Sequence, residues 1–226
     1  MKQNKGLVYG GLSVGCAVLH LLAALFAINR LPEMVPTHFD MHWVCDGVGS
    51  RWTLLLVVVL PLGTAAVSLV TAMLSRKQTN LTQVMLLLLT LYFIAMFWML
   101  YPTVSSAAQI GDQIEPQAFA SLMLLAYAVM FIAIGNYLPV LQPNQTLGIR
   151  VSWTMNNPVC WRRTHRFAGR LWVITGLLMC LIVFAALAVH HSGEVWILIV
   201  FGEFVVVNIA APCIYAWKHK DDSANA

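Results

Sequence analysis

Residues 6–28, 53–74, 81–104, 118–140, 171–189 and 195–217 run without Asp, Glu, Lys or Arg, apart from Glu203 in the last stretch. Each run meets or approaches the roughly 20 apolar residues that cross a hydrocarbon core about 30 Å thick. Backbone polar groups inside a bilayer have no water to bond, so only helices and closed barrels span it. Barrel strands would read as segments of about ten residues with alternating polarity, and this chain shows none. The expectation is an all-α polytopic membrane protein with six transmembrane helices. Composition agrees: of 226 residues, 60% are hydrophobic and only 10% charged, with a mean hydropathy of +0.77, against roughly a quarter charged in soluble domains.

The first run follows a short basic segment, Met1 to Lys5, and so resembles the start of a secretory signal. Its apolar length exceeds the usual 7 to 15 residues and no A-x-A site follows, so it is expected to remain as a helix. Five cysteines, Cys16, Cys45, Cys160, Cys180 and Cys213, form neither a disulfide framework nor a paired zinc spacing.

Alternating the sides of successive loops places eleven Lys and Arg on one side (Lys2, Lys5, Arg76, Lys77, Arg150, Arg162, Arg163, Arg166, Arg170, Lys218, Lys220) and two, Arg30 and Arg51, on the other. The positive-inside rule then makes both termini, the 75–80 turn and the 141–170 loop cytoplasmic, with the 29–52, 105–117 and 190–194 loops outside. Acidic residues Glu33, Asp40, Asp46, Asp112, Glu115 and Glu194 fall on that outer side. Anionic lipid headgroups account for the net charge of +4, and nothing in the pattern asks for nucleic acid. Coarse organisation is read as a two-helix unit, 1–80, with outer loop 29–52, followed by a four-helix unit, 81–226, with cytoplasmic loop 141–170.

These two loops, of 24 and 30 residues, are too long to be plain connections. In the outer one, Pro32 and Pro36 favour an extended entry, Asp46-Gly47 marks a turn, and Trp43 and Trp52 suit a membrane–water boundary. His38, Asp40 and His42 alternate, so a strand would set them on one face, whereas a helix would pair His38 with His42 and His42 with Asp46. That pattern allows a metal site, and hydrogen-bonded turn residues are the simpler account. In the cytoplasmic loop, Asn157-Pro158 reads as an N-cap and first helical residue. A helix from there puts Arg162, Arg166 and Arg170 on one edge and Trp161, His165, Ala168 and Trp172 on a neighbouring face. Unbroken to residue 189, it would measure about 48 Å, so its first turns project into the cytosol or bend along the interface near Gly169. Membrane anchoring and a specific site are both open for this stretch.

Two ionisable residues fall inside the spans, His20 and Glu203, each about 12 Å below the outer boundary. Such residues are costly unless paired. One expectation is that they pair with each other; the alternatives are a hydrogen-bonded Glu203, through Asn208 or Asn136, and a proton or substrate path.

The segment from Gly135 to Trp172 resembles the signature of the SdpI-like immunity protein family, in which G-N-Y, an Asn, G-I-R, W-T, a Trp and T-H-R recur in order. The matching residues are Gly135, Asn136, Tyr137, Asn144, Gly148, Ile149, Arg150, Trp153, Thr154, Trp161, Thr164, His165 and Arg166. The outer loop is similar to the domain of unknown function that commonly precedes it, at Leu31, Pro32, Val35, Pro36, Thr37, His38, Phe39, Asp46, Gly47 and Ser50. Where that domain carries a glycine this chain has His42-Trp43-Val44, which turns attention from His42 to His38 and Asp46 as metal candidates. Ser152 and Met155 replace a customary proline and leucine.

The resemblance implies a multi-pass protein of the bacterial cytoplasmic membrane that protects against a secreted, membrane-active toxic peptide and signals to a cytosolic regulator. It points to Asn144, Gly148, Arg150, Trp153, Thr154, Trp161, Thr164, His165 and Arg166 as ligand- or partner-binding residues, with Pro36, His38 and Asp46 as outer-loop candidates. No covalent chemistry or cofactor is called for. The competing readings are a proton- or lipid-coupled transporter or flippase using His20 and Glu203, and, less favoured, a metal-dependent membrane enzyme at His38 and Asp46. No nucleophile triad, H-E-x-x-H motif or phosphate loop supports the last.

Overall fold

The computed structural model describes residues 2–40, 45–74, 80–110, 116–188 and 202–222. His42, Arg76, Lys77, the expected 190–194 loop and the first part of the expected sixth span lie outside these residues.

The chain is a mostly helical membrane protein. Among the described residues five helical stretches are long and apolar enough to cross a membrane: Lys5–Ile28, Arg51–Leu74, Asn80–Ser106, Ser121–Val140 and Pro158–Ala188, with a shorter apolar helix at Phe204–Lys218. Their outer faces carry exposed Leu, Val, Ile and Phe, including Leu19, Leu22, Leu56, Leu181 and Phe184. An apolar surface this continuous is at home only against lipid chains.

Two compact units divide the chain, Met1–Met123 with Ser192–Glu194, and Leu124–His191 with Val195–Ala226. In the first, helix α1 (Lys2–Ile28) leads through Leu31 to a hairpin of β1 (Met34–Phe39) and β2 (Cys45–Ser50), then to a 3-10 turn at Arg51–Leu54, a short α2 (Leu55–Val58) and α3 (Leu60–Leu74). Helix α4 (Asn80–Ile110), grouped on sequence grounds with the C-terminal half, packs against α1 and α3. The compact unit therefore takes in a third long helix beyond the expected limit at residue 80. Its core joins Ala24, Ile28, Leu31, Val35, Leu54, Val58, Phe97 and Val104.

A polar seam also runs through this unit. Ser68 donates to Gln83 Oε1 (2.8 Å), Gln83 donates to Thr71 Oγ1 (3.1 Å), and the Thr64 and Thr90 hydroxyls meet at 3.0 Å. Without a hydrophobic drive between helices in lipid, such interhelical bonds help fix which faces meet.

The second unit contains α5 from Leu124 to its end within Pro116–Tyr137, a 3-10 turn Leu138–Val140, α6 (Ser152–Asn156), α7 (Pro158–Ala188), a π-helical stretch Phe204–Ala210 and α8 (Ala211–Lys218). Helices α5 and α7 touch backbone to backbone at glycines. A Cβ on Gly169 would sit 2.6 Å from the Gly135 carbonyl oxygen and 2.8 Å from the Pro139 ring, and one on Gly176 would sit 2.6 Å from Ile132. Pro139 then closes α5 and releases the chain into the long loop.

Candidate functional site

Helix α7 runs unbroken for 31 residues, about 46 Å, so it passes straight through Gly169 and its first turns extend beyond a hydrocarbon core. Its start is capped as the sequence reads: Asn157 Oδ1 accepts from the backbone N–H of Val159 (2.9 Å) and Cys160 (3.2 Å). The amide nitrogen of the same Asn157 donates to the carbonyls of Lys220 and Asp222, both at 3.0 Å. Arg163 pairs with the Asp222 carboxylate, Cys160 donates to the Ala216 carbonyl (3.3 Å), and Phe167 stacks on Tyr215 at 4.3 Å. Helix α8 and the chain just beyond it are thereby tied to the first turns of α7.

The 141–157 segment folds back over the same helix turns. Asn144 Oδ1 accepts from the N–H groups of Thr146 and Leu147, both at 2.8 Å, forming a tight turn. That turn delivers Gly148, at φ 111°, onto the His165 ring; an added Cβ would overlap Nε2 and come within 3.0 Å of the Trp161 ring. Glycine is required there twice over, for its left-handed backbone and for its missing side chain.

His165 is the hub. Its Nε2 accepts the Ile149 N–H (3.0 Å), and its Nδ1 lies 2.8 Å from the Trp161 carbonyl. A backbone N–H needs an acceptor and a carbonyl needs a donor, so the imidazole is neutral with its proton on Nδ1. Trp161 stacks on this ring at 4.0 Å and donates its indole N–H to the Leu141 carbonyl (2.8 Å). Thr154 ties off the other end, donating to the Ile149 carbonyl (2.7 Å) while accepting from the Val151 N–H (3.2 Å). Trp161, Thr164, His165 and Thr154 are all fully buried. Among the residues expected to bind a partner, then, Gly148, Thr154, Trp161 and His165 converge on one clasp, with Asn144 shaping its turn. Thr164 sits beside Cys160, 3.9 Å from its sulfur.

Arg150 and Arg166 do not join that interior. Both are exposed, and Arg150 donates to the Thr146 carbonyl (3.3 Å). Trp153 is half-buried, and its indole nitrogen is buried with no hydrogen-bond partner among the described residues. The Leu141 carbonyl, the Gly135–Gly169 crossing and the Asp222 tie were not foreseen. The first is a backbone group, and the other two depend on packing between distant segments.

Residues 140–216 match the SdpI/YfhL protein family, and residues 15–62 match a domain of unknown function, DUF1648. The clasp lies wholly within the first match. Over that stretch the chain is similar to the SdpI/YfhL protein family. It is 22% identical over 188 residues to a protein of Bacillus subtilis (strain 168) named Immunity protein SdpI, covering 83% of this chain and 84% of that one. No solved structure matches.

The DUF1648 match coincides with the end of α1, the hairpin and the start of the second span. Arg51 closes the hairpin base, its guanidinium donating to the carbonyls of Asn29 (3.1 Å) and Leu31 (2.7 Å) while its N–H bonds to Glu33 (2.9 Å). Pro36, opposite Val48 in the hairpin, is buried. His38 and Asp46 meet across the strands, Nδ1 to Oδ1 at 2.5 Å, on an exposed surface. Strand β1 ends at Phe39, so Asp40 falls past the strand that carries His38. Among the described residues no three His, Cys, Asp or Glu side chains cluster as metal donors.

The two ionisable residues at membrane depth fall in different units. His20 is buried in the first against the edges of Phe97 and Trp98, with neither ring nitrogen hydrogen-bonded among the described residues. Glu203, in the second, accepts from Asn208 (3.0 Å) and Tyr127 (3.5 Å), and Thr175 lies 3.5 Å from the Asn208 oxygen. The expected hydrogen-bonded Glu203 is what its own unit contains, with Asn208 as a partner; the contribution of Tyr127 was not anticipated.

Proposed function

We propose that this chain is an SdpI-like immunity protein of the bacterial cytoplasmic membrane, with its arginine-rich end in the cytosol and its hairpin outside. The hairpin meets a secreted, membrane-active toxic peptide, and the clasp passes that event to a cytosolic regulator. The observation that carries this reading is the clasp itself. Membrane anchoring needs arginine and tryptophan at the interface. It does not need a positive-φ glycine, a buried neutral histidine and a buried threonine locked together by hydrogen bonds. Residues so arranged specify a shape, and a shape is what a partner recognises. The likeness to Immunity protein SdpI over most of both chains supplies the class of event.

Within that reading, Arg150 is the exposed contact of the clasp and His165 its internal support. The test is to express the chain in a bacterium sensitive to such a peptide. Wild-type protein should restore survival. Arg150→Ala should reach the membrane in normal amount yet lose protection, and His165→Ala should lose protection through an opened clasp. Cells carrying wild-type protein that die as readily as cells without it would remove toxin resistance from its functions.

A further inference from the structure

The exposed edge of α7 changes character within one turn. Arg162, Arg166 and Arg170 follow one another at four-residue spacing and are all exposed. The same edge continues with Ile174, Leu177, Leu178, Leu181 and Phe184, each more than half exposed. Lipid chains begin where those apolar residues begin, so the boundary of the hydrocarbon core falls between Arg170 and Ile174. The second unit's last helix agrees: exposed Ile214 and Trp217 give way to Lys218 and Lys220, whose ammonium lies 5.8 Å over the Trp217 ring.

Eight residues at 1.5 Å separate Arg162 from Arg170 along the axis, about 12 Å. One headgroup layer is about 5–8 Å thick. Arg170 therefore lies within that layer, Arg166 near its aqueous surface, and Arg162 in the water beyond it. Ion pairing separates these three from their neighbour. Arg163 is neutralised by Asp222, Asp221 is 4.0 Å from Lys220, and Glu203 is held by Asn208. No carboxylate among the described residues pairs with Arg162, Arg166 or Arg170, and a guanidinium left open beside phosphates binds them through two parallel N–H bonds.

We infer that the Arg166–Arg170 edge of α7 is a binding site for the phosphate of an anionic phospholipid, with Arg162 attracting the headgroup from the aqueous side. A zwitterionic headgroup supplies the same phosphate but carries its own ammonium, so it competes poorly for the arginines.

The experiment is native mass spectrometry of the full chain in detergent, titrated with phosphatidylglycerol, phosphatidylethanolamine or inorganic phosphate. Each arginine near the surface contributes about fivefold to the preference for an anionic lipid. Wild-type protein should therefore retain phosphatidylglycerol over phosphatidylethanolamine by more than tenfold. Arg166→Gln with Arg170→Gln should lower that preference by more than tenfold, and the corresponding lysine pair, which keeps charge and fold, should retain most of it. Arg163→Gln should leave it unchanged. An undiminished preference in the glutamine pair, an equal loss from Arg163→Gln, or displacement of the lipid by inorganic phosphate would each overturn the inference.

Discussion

Gly148→Ala tests the clasp most directly, because two independent costs meet at one methyl group. Holding a non-glycine residue at φ 111° costs about 1–3 kcal/mol. The methyl also cannot share space with the His165 Nε2, so the loop must lift and the Ile149 N–H loses its acceptor; a buried donor left unsatisfied costs about 1–3 kcal/mol. Together these give about 2–6 kcal/mol against the docked loop, and at 1.4 kcal/mol per factor of ten its open fraction rises at least about twentyfold. Hydrogen–deuterium exchange read on peptides spanning 141–157 measures this locally. The amides of Thr146, Leu147 and Ile149, protected by Asn144 and His165, should exchange faster by that factor up to the free energy that docks the loop, while α1 and α4 keep their protection. Gly63→Ala is the control: no atom lies within 4 Å of its added Cβ, and a helical Gly→Ala change there should be neutral or stabilise by about 0.5–1 kcal/mol. If Gly148→Ala left exchange at 141–157 as slow as in the wild type, the close approach of this loop to His165 would be wrong.

Three further outcomes follow from the geometry. Gly169→Ala forces its methyl against the Gly135 carbonyl and the Pro139 ring and should lower stability in detergent by about 1–3 kcal/mol; Gly15→Ala, with open space around it, should not, and equal melting curves for the two would refute a tight crossing. Arg51→Gln removes a charged donor from two carbonyls at the hairpin base, a loss of about 1.5–3 kcal/mol, visible as faster proteolysis within residues 32–50 and no change in 141–157. Asp222→Asn breaks a partly exposed ion pair, so global stability should move by no more than about 1 kcal/mol, while proteolysis after Lys218 or Lys220 should quicken.

The membrane class of this protein was legible in the sequence because solvation by a bilayer acts on each residue in turn. A run of about twenty uncharged residues is a local property, and each of the five long apolar helices falls on such a run. Helix periodicity is local too, and it separated the exposed arginine edge of α7 from the face carrying Trp161, His165 and Ala168, which the structure buries. The Asn157-Pro158 cap was readable for the same reason. Ordered residues such as Gly148, Thr154 and His165 could be marked as a set, but spacing could not say whether they face a ligand or one another.

That answer came from tertiary structure alone, since it depends on contacts between groups far apart in the chain. His165 reaches Ile149 across sixteen residues, Trp161 reaches the Leu141 carbonyl across twenty, and Arg163 reaches Asp222 across fifty-nine. His38 found Asp46 across a hairpin that alternation could not distinguish from a helix. Glu203 satisfied its carboxylate within its own unit, through Asn208 and the unforeseen Tyr127. Sequence fixes what each residue must avoid, charge in lipid or a side chain where only glycine fits; which partner meets that demand is settled by packing, because many partners offer the same hydrogen bond and only the fold brings one of them within 3 Å.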